Sequence, residues 1–77
     1  MRFFFDLKSK QHTVLDYSGE DFRHHDAAID FAKAIAHDMK HRVSAQWLGW
    51  SVEVFDEGGR QFVSVPVGTA EAARRPI

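Results

Sequence analysis

The fold of this chain is constrained most by one amphipathic helix pattern placed between two pairs of β-type segments. Across residues 25–42, apolar side chains recur at helical spacing on one face and polar side chains occupy the other. Two N-cap residues are compatible with the start of this helix. Either Asp26 is the N-cap, or His24 is the N-cap and Asp26 lies in the first turn. The apolar face comprises Ala28, Phe31, Ala32, Ile35 and Met39, and the polar face Asp30, Lys33, His37 and His41.

The residues before the helix have the pattern of a β-hairpin. Residues 2–8 alternate between apolar and mixed positions, residues 8–11 are polar, and residues 12–17 are again rich in β-forming side chains. Asp16-Tyr17-Ser18-Gly19 then predicts a turn in which Gly19 has a positive φ. Phe3, Phe5 and Leu7 are expected to share one face of the first strand, with Phe4 and Asp6 on the other.

The residues after the helix predict a second hairpin. Residues 50–55 and 61–65 alternate as strands around the turn Asp56-Glu57-Gly58-Gly59-Arg60. Pro66 cannot donate a ladder hydrogen bond, so the last strand ends there or lies at an edge. Trp47 and Leu48 are expected to pin the 43–49 connection to the core, and residues 68–77 to form a tail with one short helical turn at 69–73.

These elements predict an α+β fold of ββαββ order. One helix with one apolar stripe covers one face of one sheet, so we expect a four-stranded, mainly antiparallel sheet with the helix packed on one face. Residues 1–67 form the single domain of this prediction, and residues 68–77 form its tail.

Composition narrows the classes of function. The 77 residues are 44% hydrophobic and 27% charged, contain no Cys and carry a formal net charge of -1. Without Cys there is no disulfide framework or thiolate site, which favours the cytoplasm. The near-zero charge offers no general attraction for nucleic acid or for an anionic membrane. The first residues lack the layout of a secretory signal, and we expect no cofactor.

The order of motifs resembles a family of short uncharacterised bacterial proteins, a domain of unknown function. Its members open with an Arg-Tyr/Phe-Phe-Phe-Asp/His-Leu strand, as residues 2–7 do, and continue to an Asp-x-x-Gly element, as at residues 16–19. An Ala-rich helix and a Val-x-Val-x-Asp-Glu-x-Gly-type hairpin ending in Val-Pro follow, as at 52–59 and 65–66. His24 stands where the family commonly has an Asp cap. The resemblance implies the fold and a bacterial source, and supplies no activity.

Two weak patterns could carry chemistry. His37 and His41 stand four residues apart on the helix, a spacing that can place two imidazoles on one metal ion, with Asp30 as a third candidate ligand. A solvated helix face is the simpler interpretation, since the HExxH glutamate is absent. Arg2 and Arg60 could join exposed aromatics in a single-stranded nucleic-acid binder, but the 10 basic residues are scattered among 11 acidic ones.

The interpretation favoured by the sequence is a small non-enzymatic interaction module that self-associates. One helix covers only one face of a sheet, and apolar residues occupy both alternating sets of its strands. An uncovered apolar face is typical of a partner surface, and a two-fold dimer is the commonest arrangement. The residues expected at this interface are Phe4, Trp47, Trp50 and Phe55.

Overall fold

The computed structural model describes residues 1–43 and 49–67. Trp47, Leu48 and the predicted tail at 68–77 lie outside these residues. The strands are β1 (Arg2–Lys8), β2 (Thr13–Val14), β3 (Glu20–Asp21), β4 (Ser51–Phe55) and β5 (Gln61–Pro66). The helix α1 spans His25–Asp38 and continues into a π-helical turn, Met39–Val43.

The predicted α+β class is confirmed, with one helix packed on an antiparallel sheet. The strand order is β2-β1-β4-β5, and β3 also pairs with β1. The two long strands β1 and β4 are adjacent in the sheet, with Phe5 opposite Val54 and Leu7 opposite Val52. The sheet thus has five strands where the sequence predicted four.

The extra strand forms after the predicted strand at 12–17, which is itself shorter than predicted. Only Thr13–Val14 pairs there, opposite Lys8 and Leu7. The chain then leaves β1 at the Asp16–Gly19 turn and returns as β3, opposite Arg2 and Phe3. Gly19 has the predicted positive φ, at 74°. Asp and Gly in this arrangement favour a turn over a continuous strand.

The core lies between α1 and the face of the sheet that carries Phe3 and Phe5. The helix face predicted from periodicity is the one that packs inward, with Phe31 and Ile35 partly buried against the core. The Phe5 and Phe31 rings are 5.0 Å apart between centroids in an edge-to-face arrangement, which is favourable for aromatic pairs. The buried set is Phe3, Phe5, Ala28, Ala32, Ala36, Met39, Val52, Val54 and Val67.

The two possible helix starts are now distinguished. His24 occupies the N-cap position with extended backbone and makes no capping side-chain hydrogen bond, while Asp26 lies in the first turn. An acidic side chain there interacts favourably with the positive end of the helix dipole. Within residues 1–43 and 49–67, no helix is both long and apolar enough to cross a membrane.

Candidate functional site

Strand register defines the face of the sheet that is turned away from α1. Phe5 and Val54 point toward the helix and are buried. Because side chains alternate along a strand, the residues next to them point the other way. We call this second surface the open face, since in the described part of the chain α1 packs on the opposite side. It comprises Arg2, Phe4, Asp6, Lys8, Thr13, Asp21, Ser51, Glu53, Phe55, Ser64 and Pro66.

The open face contains an aromatic pair. Phe4 and Phe55 stand directly opposite each other on β1 and β4, and both are half-buried. Directly opposed aromatic side chains stabilise a sheet by about 0.2–1 kcal/mol relative to alanines. Neither ring belongs to the core or to the residues packed against it. The structure therefore brings together two of the four residues predicted at an interface.

Beside this pair the open face is polar. Glu53 is only 9% exposed, and its carboxylate accepts hydrogen bonds from the Ser51 hydroxyl, the Gln61 amide and, at 2.8 Å, the Ser64 hydroxyl. Asp6 lies directly opposite Glu53. Two carboxylates in opposed positions repel each other. The expectation of an apolar sheet face thus needs correction, because one half is aromatic and the other half carries carboxylates and hydroxyls.

Trp50 lies apart from the aromatic pair. It precedes β4 and packs, partly buried, against the core on the helix side of the sheet. With Gly49 and the turn residues Ser9–His12 it lines a groove of about 360 Å³. Trp50 consequently does not share the open face with Phe55, and Trp47 is outside the described residues.

The two arginines considered for nucleic-acid binding have different environments. The Arg2 guanidinium donates to the Asp21 carboxylate at 3.1 Å and to the Ser18 carbonyl at 2.6 Å. Its charge is thus paired within the chain. Arg60 is exposed beside the β4–β5 turn, and its backbone N–H donates to Asp56 at 3.0 Å.

The Asp56 carboxylate organises that turn. Its Oδ1 accepts the backbone N–H groups of Gly58 at 2.9 Å and Arg60. The Arg60 hydrogen bond, with that of Gly58 and the charges of Arg60 and His25, holds the pKa of Asp56 below its ordinary value. A carboxylate committed to backbone donors is typical of a structural turn residue.

The metal-ligand candidates divide into a pair and an outlier. The imidazole rings of His37 and His41 lie 4.3 Å apart between centroids, and both side chains are exposed. Asp30 precedes His37 by two helical turns, about 10 Å along the axis at 1.5 Å per residue. Across the residues that the structure describes, no three His, Asp or Glu side chains gather closely enough to hold a metal ion. Asp30 therefore does not join the histidines as a third ligand.

Sequence reasoning did not single out Glu53 or Asp6 for the site. Alternation already predicts that Asp6 shares the face of Phe4, and the same alternation phase puts Glu53 on the face of Phe55. Their direct opposition depends on the register between β1 and β4, which are distant in sequence, and that register is not encoded in either strand alone.

Comparisons with known proteins place the chain beside one family. The sequence model of a domain of unknown function, DUF6894, matches residues 2–68. This range includes every described strand and α1. Neither the comparison with curated proteins nor that with solved structures found a match.

Proposed function

From the premise that this chain belongs to the DUF6894 family of domains of unknown function, we propose that it is a small non-enzymatic interaction module. Its partner is a second copy of itself, and the contact is the open face. The observation that carries this proposal is the Phe4–Phe55 pair, which stands half-buried on the side of the sheet opposite α1. We also propose that the protein is cytoplasmic, which the absence of Cys favours.

Charge favours a second copy over other occupants. The open face carries two basic residues, Arg2 and Lys8, and three acidic residues, Asp6, Asp21 and Glu53, of which Asp21 is paired with Arg2. A polyanion or a strongly cationic peptide would meet like charges on such a surface. A second copy carries both signs on the same face, so an isologous contact can pair Lys8 of each copy with acidic residues of the other.

The expected dimer is weak. The three long strands, β1, β4 and β5, have five to seven residues and are spaced about 4.8 Å apart, so they present about 300 Å² per copy. That area is below the roughly 800 Å² per partner of standard stable interfaces. We therefore expect a dissociation constant in the micromolar range or weaker, about 10⁻⁶ to 10⁻⁴ M.

Sedimentation velocity from about 1 μM to about 500 μM tests the proposal across that range. The wild-type chain should change from monomer to dimer, and Phe55→Asp should remain a monomer with an unchanged far-UV circular dichroism spectrum. Ala34→Asp is the matched control, because it adds the same charge at an exposed position on α1. If Phe55→Ser and Phe55→Asp both fold and associate like the wild type, the open face is not the interface.

A further inference from the structure

The exposed side of α1 carries a pair of histidines whose geometry suits a metal ion. The His37 and His41 rings are 4.3 Å apart between centroids and inclined at 44°. Two imidazole nitrogens bound to one ion at about 2.0–2.1 Å lie about 3 Å from each other. A bound ion lies along the lone pair of each nitrogen, so each ring centroid is about 3.2 Å from the ion and the two centroids are roughly 4.5–5.2 Å apart. The observed separation is about 0.2 Å shorter, a difference that a small rotation of either exposed side chain removes.

The backbone explains why these two rings are so close. His37 belongs to α1, whereas His41 belongs to the π-helical turn Met39–Val43. A π turn holds more residues than an α turn, so the chain rotates less at each step. Over the four residues from His37 to His41, this brings His41 more nearly above His37 than an uninterrupted α-helix would. Single π turns inside helices occur frequently at functional sites.

We infer that His37 and His41 form a two-imidazole binding site for a borderline divalent transition-metal ion such as Zn²⁺, Ni²⁺ or Cu²⁺. Neutral imidazole suits these ions, whereas Mg²⁺ and Ca²⁺ prefer oxygen ligands. The two histidines fill two coordination positions, and water fills the others. This site lies on the surface opposite the open face, so it is independent of the proposed self-association.

Isothermal titration calorimetry of the full chain with Zn²⁺ and with Ni²⁺ tests the inference. The expected result is one ion per chain with a dissociation constant below about 100 μM. His37→Ala and His41→Ala should each weaken binding by about tenfold or more, because each leaves a single imidazole. Both positions are exposed, and an unchanged far-UV circular dichroism spectrum verifies the fold.

Matched controls exclude binding elsewhere. His12→Ala and His24→Ala each remove one exposed histidine away from the pair and should leave the affinity within about twofold. Zn²⁺ should also raise the melting temperature of the wild type and of both controls, but not of His41→Ala, because a ligand that binds only the folded state stabilises it. Millimolar binding in the wild type, or full binding in His37→Ala, overturns the inference. Equal loss in a control also overturns it.

Discussion

The Asp16 carboxylate takes the place of a neighbouring strand for Phe5. Its Oδ2 accepts the Phe5 backbone N–H at 3.0 Å, at the position on β1 that lies between the residues paired with β2 and those paired with β3. Its Oδ1 accepts the N–H groups of Ser18 and Gly19 at 3.1 and 3.0 Å. One side chain therefore closes the turn and also satisfies the backbone of the central strand that the turn leaves exposed.

Asp16→Asn should lower stability by about 1–3 kcal/mol. An Asn side chain has one oxygen, so it can accept either from Phe5 or from the turn, and its amide then faces a backbone donor. Urea unfolding followed by circular dichroism measures the change. Glu20→Gln is the control, since it removes an exposed carboxylate from the same segment and should change stability by less than about 0.5 kcal/mol. An equal loss in both variants would show that net charge, and not the Asp16 hydrogen bonds, matters.

The same carboxylate predicts a pH dependence. Partial burial acts to raise the pKa of Asp16, but three backbone N–H donors and the nearby Arg2 charge outweigh it, so its pKa lies below the ordinary value. A lowered pKa in the folded state contributes stability above the unfolded value of about 4, and this is lost as pH falls through the folded pKa. We expect the free energy of unfolding, measured from pH 7 to pH 2, to decrease once the pH drops under about 4. The decrease should be smaller in Asp16→Asn. Parallel curves for the two proteins would contradict this assignment.

Gly19 and Gly59 both have a positive φ, but only Gly19 packs closely against β1, so alanine substitutions at the two positions separate backbone strain from steric overlap. Both have left-handed backbone, with φ of 74° and 83°. A Cβ at Gly19 would lie 2.8 Å from the Phe3 carbonyl oxygen, whereas at Gly59 it would meet no described atom within 4 Å. Gly59→Ala should therefore cost about 1–2 kcal/mol from backbone strain alone, and Gly19→Ala about 3 kcal/mol or more. Equal midpoints in urea would mean that the turn relaxes away from β1.

The predictable parts of the fold were those set by local periodicity. The inward face of α1, the two buried aromatics of β1 and the turn glycine at residue 19 all follow from spacing and residue type. The sequence did not predict the short strand Glu20–Asp21, and the β-forming side chains at 12–17 predicted a longer strand than Thr13–Val14. There, the hydrogen bonds of one aspartate to the backbone outweighed strand propensity.

The candidate site was less predictable because it depends on contacts between distant segments. Phe4 and Phe55 were named from the sequence, but their direct opposition depends on the register of β1 against β4. The same register places Asp6 opposite Glu53, so the face is half polar. The closeness of His37 and His41 follows from a π turn, for which the sequence carries no local signal.

Glu53 should tolerate loss of its charge better than loss of its oxygens. In Glu53→Gln, the amide oxygen can still accept from the Ser51 and Ser64 hydroxyls, and Gln61 can rotate its amide to accept from the new N–H. Stability should change by less than about 1 kcal/mol, because repulsion from Asp6 is also relieved. Glu53→Ala leaves three donors without their acceptor and should cost about 1–3 kcal/mol. Urea unfolding of both variants measures these changes. An equal loss of stability in the two variants would mean that the negative charge itself is required.

Phe3 and Phe4 are neighbours in sequence that should separate folding from association. Phe3 is fully buried, with its ring 5.2 Å from His25 and 5.6 Å from Phe62 between centroids. Phe3→Ala should cost about 3–5 kcal/mol, which is most of the stability of a domain this small. Phe4 lies half-buried on the open face, so Phe4→Ala should cost only about 1 kcal/mol.

Phe3→Ala should therefore mainly lower stability, whereas Phe4→Ala should mainly weaken dimerisation. Urea unfolding should show Phe3→Ala as the destabilised protein. Sedimentation velocity at concentrations where the wild type dimerises should show Phe4→Ala as a folded monomer, because it removes one ring of the aromatic pair without emptying the core. A Phe4→Ala protein that unfolds as readily as Phe3→Ala would assign Phe4 to the fold. One that dimerises as tightly as the wild type would remove the aromatic pair from the proposed interface.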